Sequence, residues 1–94
     1  MKKTFSINIS GIIFTIDDDA YEILQKYLDT LSAYFSKSAD GREILLDIEA
    51  RIAELFKSKI TPDKQVIVLS DVEEMIAIMG KPEDLIEEEA PQGG

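Results

Sequence analysis

The feature that most constrains the fold is an alternation of apolar and polar residues between positions 4 and 16, with Ile13 as its one exception. The segment reads TFSINISGIIFTI. A two-residue turn at Ser10-Gly11 would place Ile9 opposite Ile12, and every second pair farther from the turn would again match two apolar residues. Six apolar side chains would then share one face: Phe5, Ile7, Ile9, Ile12, Phe14 and Ile16. Because a shift of one residue destroys this match, the alternation predicts a β-hairpin in a single register, with its apolar face buried on helices.

Residues 40–56, DGREILLDIEARIAELF, carry the clearest helical pattern. Their apolar residues recur three and four positions apart, which indicates an amphipathic helix whose apolar stripe is broad enough to face a core. Asp40 and Glu43 fit a capping box at the start of this helix. We expect it to be the central packing helix, with an apolar side formed by Ile44, Leu45, Ile48, Ile52, Leu55 and Phe56.

A first helix is predicted to begin at the three aspartates 17–19, where either Asp17 or Asp19 can serve as the N-cap, and to end near Lys37. Its apolar side is formed by Ala20, Leu24, Tyr27, Leu28, Leu31, Tyr34 and Phe35. A third helix is predicted to begin at Ser70, with Glu73 completing a capping box, and to end at Gly80.

Two further segments complete the predicted fold. The apolar, β-branched run at 65–69 is too short for a helix and favours a short third strand beside the hairpin. Pro82 is predicted to start a last helical turn. We therefore expect one small α+β domain at 1–86, with an N-terminal β-hairpin packed on three helices in the order ββ-α-α-(β)-α. Residues 87–94 are predicted to be an acidic, disordered tail or linker.

The charge of the chain excludes several functions. The net charge is −9, and residues 71–94 hold eight acidic residues against one lysine. Such a field repels nucleic acid and anionic lipid, because the basic residues do not cluster in the sequence. The chain also has neither cysteine nor histidine. Thiol chemistry is therefore excluded, and the most common general base and metal ligand is missing.

The remaining candidates for chemistry are carboxylates. The aspartates at 17–19 could suggest a cation site, but the sequence lacks the alternating oxygen ligands and central glycine of a calcium loop, which favours helix capping. Asp47 and Glu54 would lie on one solvated helix face, with nothing to separate their pKa values for acid–base work. We expect no enzyme activity and no catalytic, cofactor or metal site.

A candidate interaction surface comes from apolar residues that the predicted core does not use. Ile13 is the one apolar residue on the polar face of the hairpin, and the third helix is apolar almost all round. Methionine-rich helices can serve as adaptable binding faces. We expect an exposed patch, used for self-association or for docking a protein partner, that is formed by Ile13, Met75, Ile78 and Met79.

Three segments resemble a known family: SINISGIIFTIDDDAY at 6–21, DIEARIAELF at 47–56 and KQVIVLSDVEEMIAIMGKPEDL at 64–85. They are similar to the soluble N-terminal region of bacterial proteins of the phage-shock-protein-C (PspC) type. The resemblance implies a regulatory role in the envelope-stress response. It also implies a cytoplasmic domain whose full-length protein is anchored in the inner membrane by a downstream segment.

The preferred interpretation is thus a non-enzymatic, cytoplasmic protein-interaction domain without cofactors. The alternative is a DNA-linked transcriptional regulator, a label that families of this kind often carry, and a hairpin with three helices could suggest a winged helix. In that arrangement the third helix would be the recognition helix that contacts the DNA. Its sequence, DVEEMIAIM, carries three acidic residues and no lysine or arginine. Phosphate contacts dominate DNA affinity, so we expect no salt-sensitive binding to duplex DNA.

Overall fold

The computed structural model describes residues 3–89, and this range forms one three-stranded sheet and four helices. The strands are β1 (Thr4–Ile9), β2 (Ile12–Asp17) and β3 (Val66–Ile67). The helices are α1 (Asp18–Phe35), α2 (Ala39–Lys59), α3 (Leu69–Met79) and α4 (Pro82–Glu89). This order confirms the predicted α+β domain with an N-terminal hairpin.

The hairpin has the register that the alternation predicts. Its apolar pairs are Phe5–Ile16, Ile7–Phe14 and Ile9–Ile12. Ser10 and Gly11 both have positive φ, at 53° and 84°, which is the backbone of a type I′ turn. The side-chain oxygen of Asn8 accepts the N–H of Gly11 at 3.0 Å. The backbone of this turn type follows the twist of the paired strands. The hairpin therefore accommodates serine at the first turn position.

The apolar face of the hairpin is buried or partly buried at every position except Phe5. Ile9, Phe14 and Ile16 are buried, and Ile7 and Ile12 are partly buried. Phe5 is 44% exposed, so the prediction that all six side chains are buried is wrong for this residue. The reason is its place on the outermost strand, where the ring of Tyr21 lies against it with centroids 5.0 Å apart.

β3 joins the sheet beside β2 and runs parallel to it, with Val66 opposite Thr15. The third strand is therefore present, but it covers two residues instead of 65–69 because Leu69 already belongs to α3. The strand order is β1-β2-β3. β2 is thus the central strand, and β1 is an edge strand along its whole length.

α1 follows β2 directly, with Asp17 as its N-cap, which selects one of the two predicted caps. The carboxylates of Asp18 and Asp19 accept backbone N–H groups of the first turn at 2.7 and 2.8 Å. Negative charge at this end is favoured by the helix dipole. The helix ends at Phe35, slightly earlier than predicted, and Tyr34 is 37% exposed although the pattern placed it on the apolar side.

α2 begins earlier than predicted. Its N-cap is Ser38, whose hydroxyl accepts the N–H of Gly41 at 2.9 Å. The predicted capping box of Asp40 and Glu43 is therefore wrong, because Asp40 already lies in the first turn. Both serine and aspartate are good N-caps, so the sequence alone does not choose between them. α2 contacts α1, α3 and β1, whereas α1 contacts α2, α3, α4 and both strands of the hairpin. α2 is thus a core helix, but the prediction that it is the central one is wrong, because α1 packs against more of the fold.

α3 follows β3 almost without a loop. Its N-cap is Val68, so the prediction that Ser70 caps this helix is wrong. The carboxylate of Asp71 instead accepts the N–H of Val68 at 3.1 Å and forms an ion pair with Lys64. Asp71 is buried, and these partners satisfy its charge. Because the capping group lies inside the helix, α3 can begin directly at Leu69.

Gly80 ends α3 as predicted, with a φ of 103° that favours glycine. α4 then adds Leu85 to the core. This helix continues to Glu89, so it does not stop at the predicted boundary between domain and linker at residue 86. The remainder of the predicted tail, 90–94, lies outside the described residues.

The core lies between the apolar face of the sheet and the helices. It draws on every described element, and α1 and α2 contribute side chains along their whole length. Its largest fully buried side chains are Ile16, Leu24, Leu31, Ile52, Phe56, Ile67, Val72 and Met75.

Tyr27 links α1 to the end of α3, and its ionisation should make the stability of the domain depend on pH. Its hydroxyl donates to the carbonyl oxygen of Gly80 at 2.8 Å. Burial raises the pKa of Tyr27 from 10.0 to about 12. A group with a higher pKa in the folded state loses its stabilising effect as the pH rises between the unfolded and folded values. We therefore expect the free energy of unfolding to fall between about pH 10 and about pH 12.

Tyr27→Phe should remove the part of this decrease in the free energy of unfolding that the ionisation of Tyr27 causes. The measurement is urea unfolding at stepwise pH, with Tyr34→Phe as the control that removes an exposed hydroxyl. At neutral pH, Tyr27→Phe should lose about 1 kcal/mol through its missing hydrogen bond. If its pH dependence ran parallel to that of the wild type, ionisation of Tyr27 would not be coupled to folding.

Candidate functional site: the open edge of the sheet

The structure separates the four residues that were predicted to form an interaction surface. Ile13 and Ile78 are 63% and 60% exposed. Met75 is 1% exposed, so its assignment to the surface is wrong. It faces the core one turn after Val72, because α3 packs against both α1 and α2. Met79 is partly buried and also packs against the core.

Ile13 lines a groove of about 440 Å³ beside β2. The groove is formed by residues 12–15 together with Lys57, Ile60 and Gln65. No residue of α3 lines it, so Ile13 and Ile78 do not share this groove. A single exposed apolar side chain is ordinary on a protein surface. Ile78 therefore does not define a site by its exposure.

The carboxylates that the sequence singled out do not assemble into a site. Asp47 and Glu54 lie on the exposed face of α2. Burial raises the pKa of Glu49, which is partly buried on the same helix. Within residues 3–89, no three acidic side chains lie close enough to hold a metal ion, and no buried side-chain polar atom lacks a hydrogen-bond partner.

Along β1, the backbone N–H and C=O groups of successive residues point alternately toward β2 and away from it. Since the turn has two residues, the pairs that exchange hydrogen bonds with β2 involve Phe5, Ile7 and Ile9. The carbonyl of Lys3 continues this pattern and accepts the N–H of Asp18 at 2.9 Å. The N–H and C=O groups that point away from the sheet are consequently those of Thr4, Ser6 and Asn8.

No described element covers these outward groups. β2 lies on the other side of β1, and β3 lies beyond β2. Within the described part of the chain, the outward N–H and C=O groups of Thr4, Ser6 and Asn8 have no hydrogen-bond partner. All three side chains are exposed. We call residues 4–8 of β1 the open edge.

The open edge lacks the features by which proteins prevent strands from adding to a sheet. Such features are proline, charged side chains and bulges. The sequence of β1 is TFSINI, and it pairs with β2 without interruption from Thr4 to Ile9. The nearest described charge along the chain on the N-terminal side is Lys3, which precedes the strand. The open edge can therefore accept another extended segment.

Phe5 gives the open edge an apolar contact surface. Its exposed ring is tilted against Tyr21. A groove of about 470 Å³ lies beside the two rings and is otherwise lined by Asp18, Asp19 and Glu22. A strand added to β1 would cover the exposed part of Phe5.

Sequence reasoning missed Thr4, Ser6 and Asn8 as functional residues. The alternation marks them only as the polar face of a hairpin. The only indication in the sequence is an absence, since TFSINI contains neither a charged residue nor a proline. This absence indicates a site for strand addition only once β1 is known to be an edge strand.

Comparison of the chain with protein-family models, with curated proteins and with solved structures found no match. Within the described range, none of the helices combines the length and the apolar character that crossing a membrane requires.

Proposed function

We propose that this chain is a non-enzymatic, regulatory protein-interaction domain of a PspC-type envelope-stress membrane protein. The observation that carries the interaction role is the open edge, an uncharged strand whose outward backbone groups have no partner among the described residues. An extended segment of another chain can pair there as an additional strand. Its backbone hydrogen bonds would supply affinity, and Phe5 would supply an apolar contact.

The sequence resemblance supports the membrane context. The similar segments at 6–21, 47–56 and 64–85 cover most of the hairpin with the start of α1, the middle of α2, and β3 through the first half of α4. The likeness therefore extends over elements that pack together in one core. In this context the domain lies on the cytoplasmic side, and a downstream segment holds the protein in the inner membrane.

Site-specific photo-crosslinking in cells tests the interaction role. A photoreactive amino acid replaces Ser6 in the full-length protein, and a second variant carries it at Asp47 on the exposed face of α2. We expect a discrete cross-linked protein species from position 6 and none from position 47. The absence of any protein adduct at position 6, or equal labelling at both positions, would contradict the proposal.

The alternative of a DNA-linked regulator has less support. α3 would be the recognition helix, and it exposes Glu73 and Glu74 to solvent. Lys59 pairs with Glu74, but α3 itself contributes no cation. Acidic groups on this helix would face the DNA phosphates and repel them.

A further inference from the structure

We infer that the partner at the open edge is a second copy of this chain, paired antiparallel through β1 about a twofold axis at Ser6. This inference rests on the proposed interaction role of the edge and identifies its partner. Pairing in this way would join two three-stranded sheets into one continuous sheet of order β3-β2-β1-β1-β2-β3.

The outward backbone groups of β1 are complementary to their own copies. With Ser6 opposite Ser6 of the other copy, Thr4 of each chain lies opposite Asn8 of the other. These positions become hydrogen-bonded pairs, so the outward N–H and C=O groups of all three residues gain partners. A shift of two residues in one direction would place Asn8 opposite residue 2, outside the described range, and in the other direction it would place Thr4 opposite Ser10 in the turn. The register about Ser6 therefore satisfies the most backbone groups.

The side chains match in the same register. Phe5 of each copy lies opposite Ile7 of the other, in a pair without hydrogen bonds, where facing side chains are closest. Both residues point to the helix-covered face of the sheet. Phe5 is 44% exposed in the single chain and Ile7 is partly buried, so each gains an apolar neighbour. The alternation that defines the hairpin is thus also complementary to itself.

The charge and size of this interface imply a weak dimer. The strand itself is uncharged, but Asp18, Asp19 and Glu22 line the groove beside Phe5, and each chain carries a net charge of −9, so the two copies repel each other. Two paired six-residue strands also bury less than the roughly 800 Å² per partner of a standard interface. Anchoring both copies in one membrane, as the proposed function requires, would raise their effective concentration and favour pairing.

Analytical ultracentrifugation of the purified chain between micromolar and millimolar concentration tests the inference. We expect the mass to rise from 10.5 kDa toward twice that value. Ser6→Lys and Ser6→Glu should each raise the dissociation constant at least about tenfold, because two like charges then meet at the axis. An equimolar mixture of both variants should restore dimers that contain one chain of each kind. Ile78→Glu, at an exposed position away from the edge, is the control and should dimerise like the wild type.

Several results would overturn self-pairing at Ser6. These are a wild type that stays monomeric throughout, charged variants that dimerise normally, a mixture that does not recover, or loss of the dimer in Ile78→Glu. If the purified chain is monomeric while position 6 cross-links to a different protein in cells, self-pairing fails and the proposed function stands. If position 6 gives no protein adduct at all, the proposed function fails as well.

Amide hydrogen exchange provides a second test that needs no substitution. In the single chain, the N–H groups of Phe5, Ile7 and Ile9 bond to β2, whereas those at positions 4, 6 and 8 are open to solvent. As the dimer forms with rising concentration, the amides of Thr4, Ser6 and Asn8 should become protected. If the mass doubles without this protection, the dimer uses another surface and the inference is wrong.

Discussion

Replacing Gly41 with alanine is expected to destabilise the domain by about 3 kcal/mol. A Cβ atom at this position would lie 2.0 Å from the carbonyl oxygen of Phe35 and 2.8 Å from its carbonyl carbon. Both atoms belong to the backbone, so no change of rotamer can relieve the overlap. The end of α1 and the start of α2 would have to move apart, which would disturb the packing between the two longest helices.

Whether Gly41→Ala stabilises or destabilises the domain shows whether close packing or helix propensity dominates at this position. Propensity alone predicts that glycine to alanine within a helix stabilises by about 1 kcal/mol. Urea unfolding followed by circular dichroism measures the difference. Asp40→Ala, at the neighbouring exposed position, is the control and should change the free energy of unfolding by less than about 1 kcal/mol. A Gly41→Ala variant more stable than the wild type would contradict the close approach of the two helices.

Ile52→Ala is expected to cost about 2–5 kcal/mol of the free energy of unfolding. Ile52 is fully buried near the middle of α2, and Ile48 and Phe56 lie one turn away on either side. The ring of Phe56 meets that of Phe14 edge to face, with centroids 5.7 Å apart. Because helices and sheet enclose this site together, the structure can relax only partly into the space that the side chain leaves.

Leu46→Ala is the matched control on the same helix. Leu46 is 64% exposed, so its truncation should change the free energy of unfolding by no more than about 0.5 kcal/mol. Ile48→Ala, at a buried position, should fall in the same range as Ile52→Ala. If Leu46→Ala and Ile52→Ala were equally costly, the face of α2 that carries Ile52 would not pack against the core.

Occupation of the open edge has one further physical consequence. An edge strand can pair with only one neighbour on its free side, so self-pairing and the addition of a foreign strand exclude each other. A weak dimer would therefore leave the edge accessible at low local concentration and cover it at high concentration.

The caps show how far local patterns predict this fold. The alternation at 4–16 predicts the hairpin register correctly, because the pattern and the turn act over a few neighbouring residues. Predictions of helix starts are less accurate. Ser38 and Asp40 are both suitable caps, and the choice depends on how α2 meets the end of α1. At α3 the chain leaves β3 directly into a helix that Asp71 caps from within.

The sequence by itself determined the strand pairing within the hairpin and the amphipathic character of α2, and it located the ends of α1 and α3 to within a few residues. These features follow from periodicity and turn chemistry, which are local properties. That α1 and not α2 contacts most of the other elements depends on the tertiary structure. Only the tertiary structure decided which residues of the nearly all-apolar α3 are buried. Met75 is buried in the core, whereas Ile78 is exposed to solvent. The same holds for the open edge. β1 and β2 alternate alike, and β1 becomes the edge because Val66, far along the chain, pairs with Thr15 of β2.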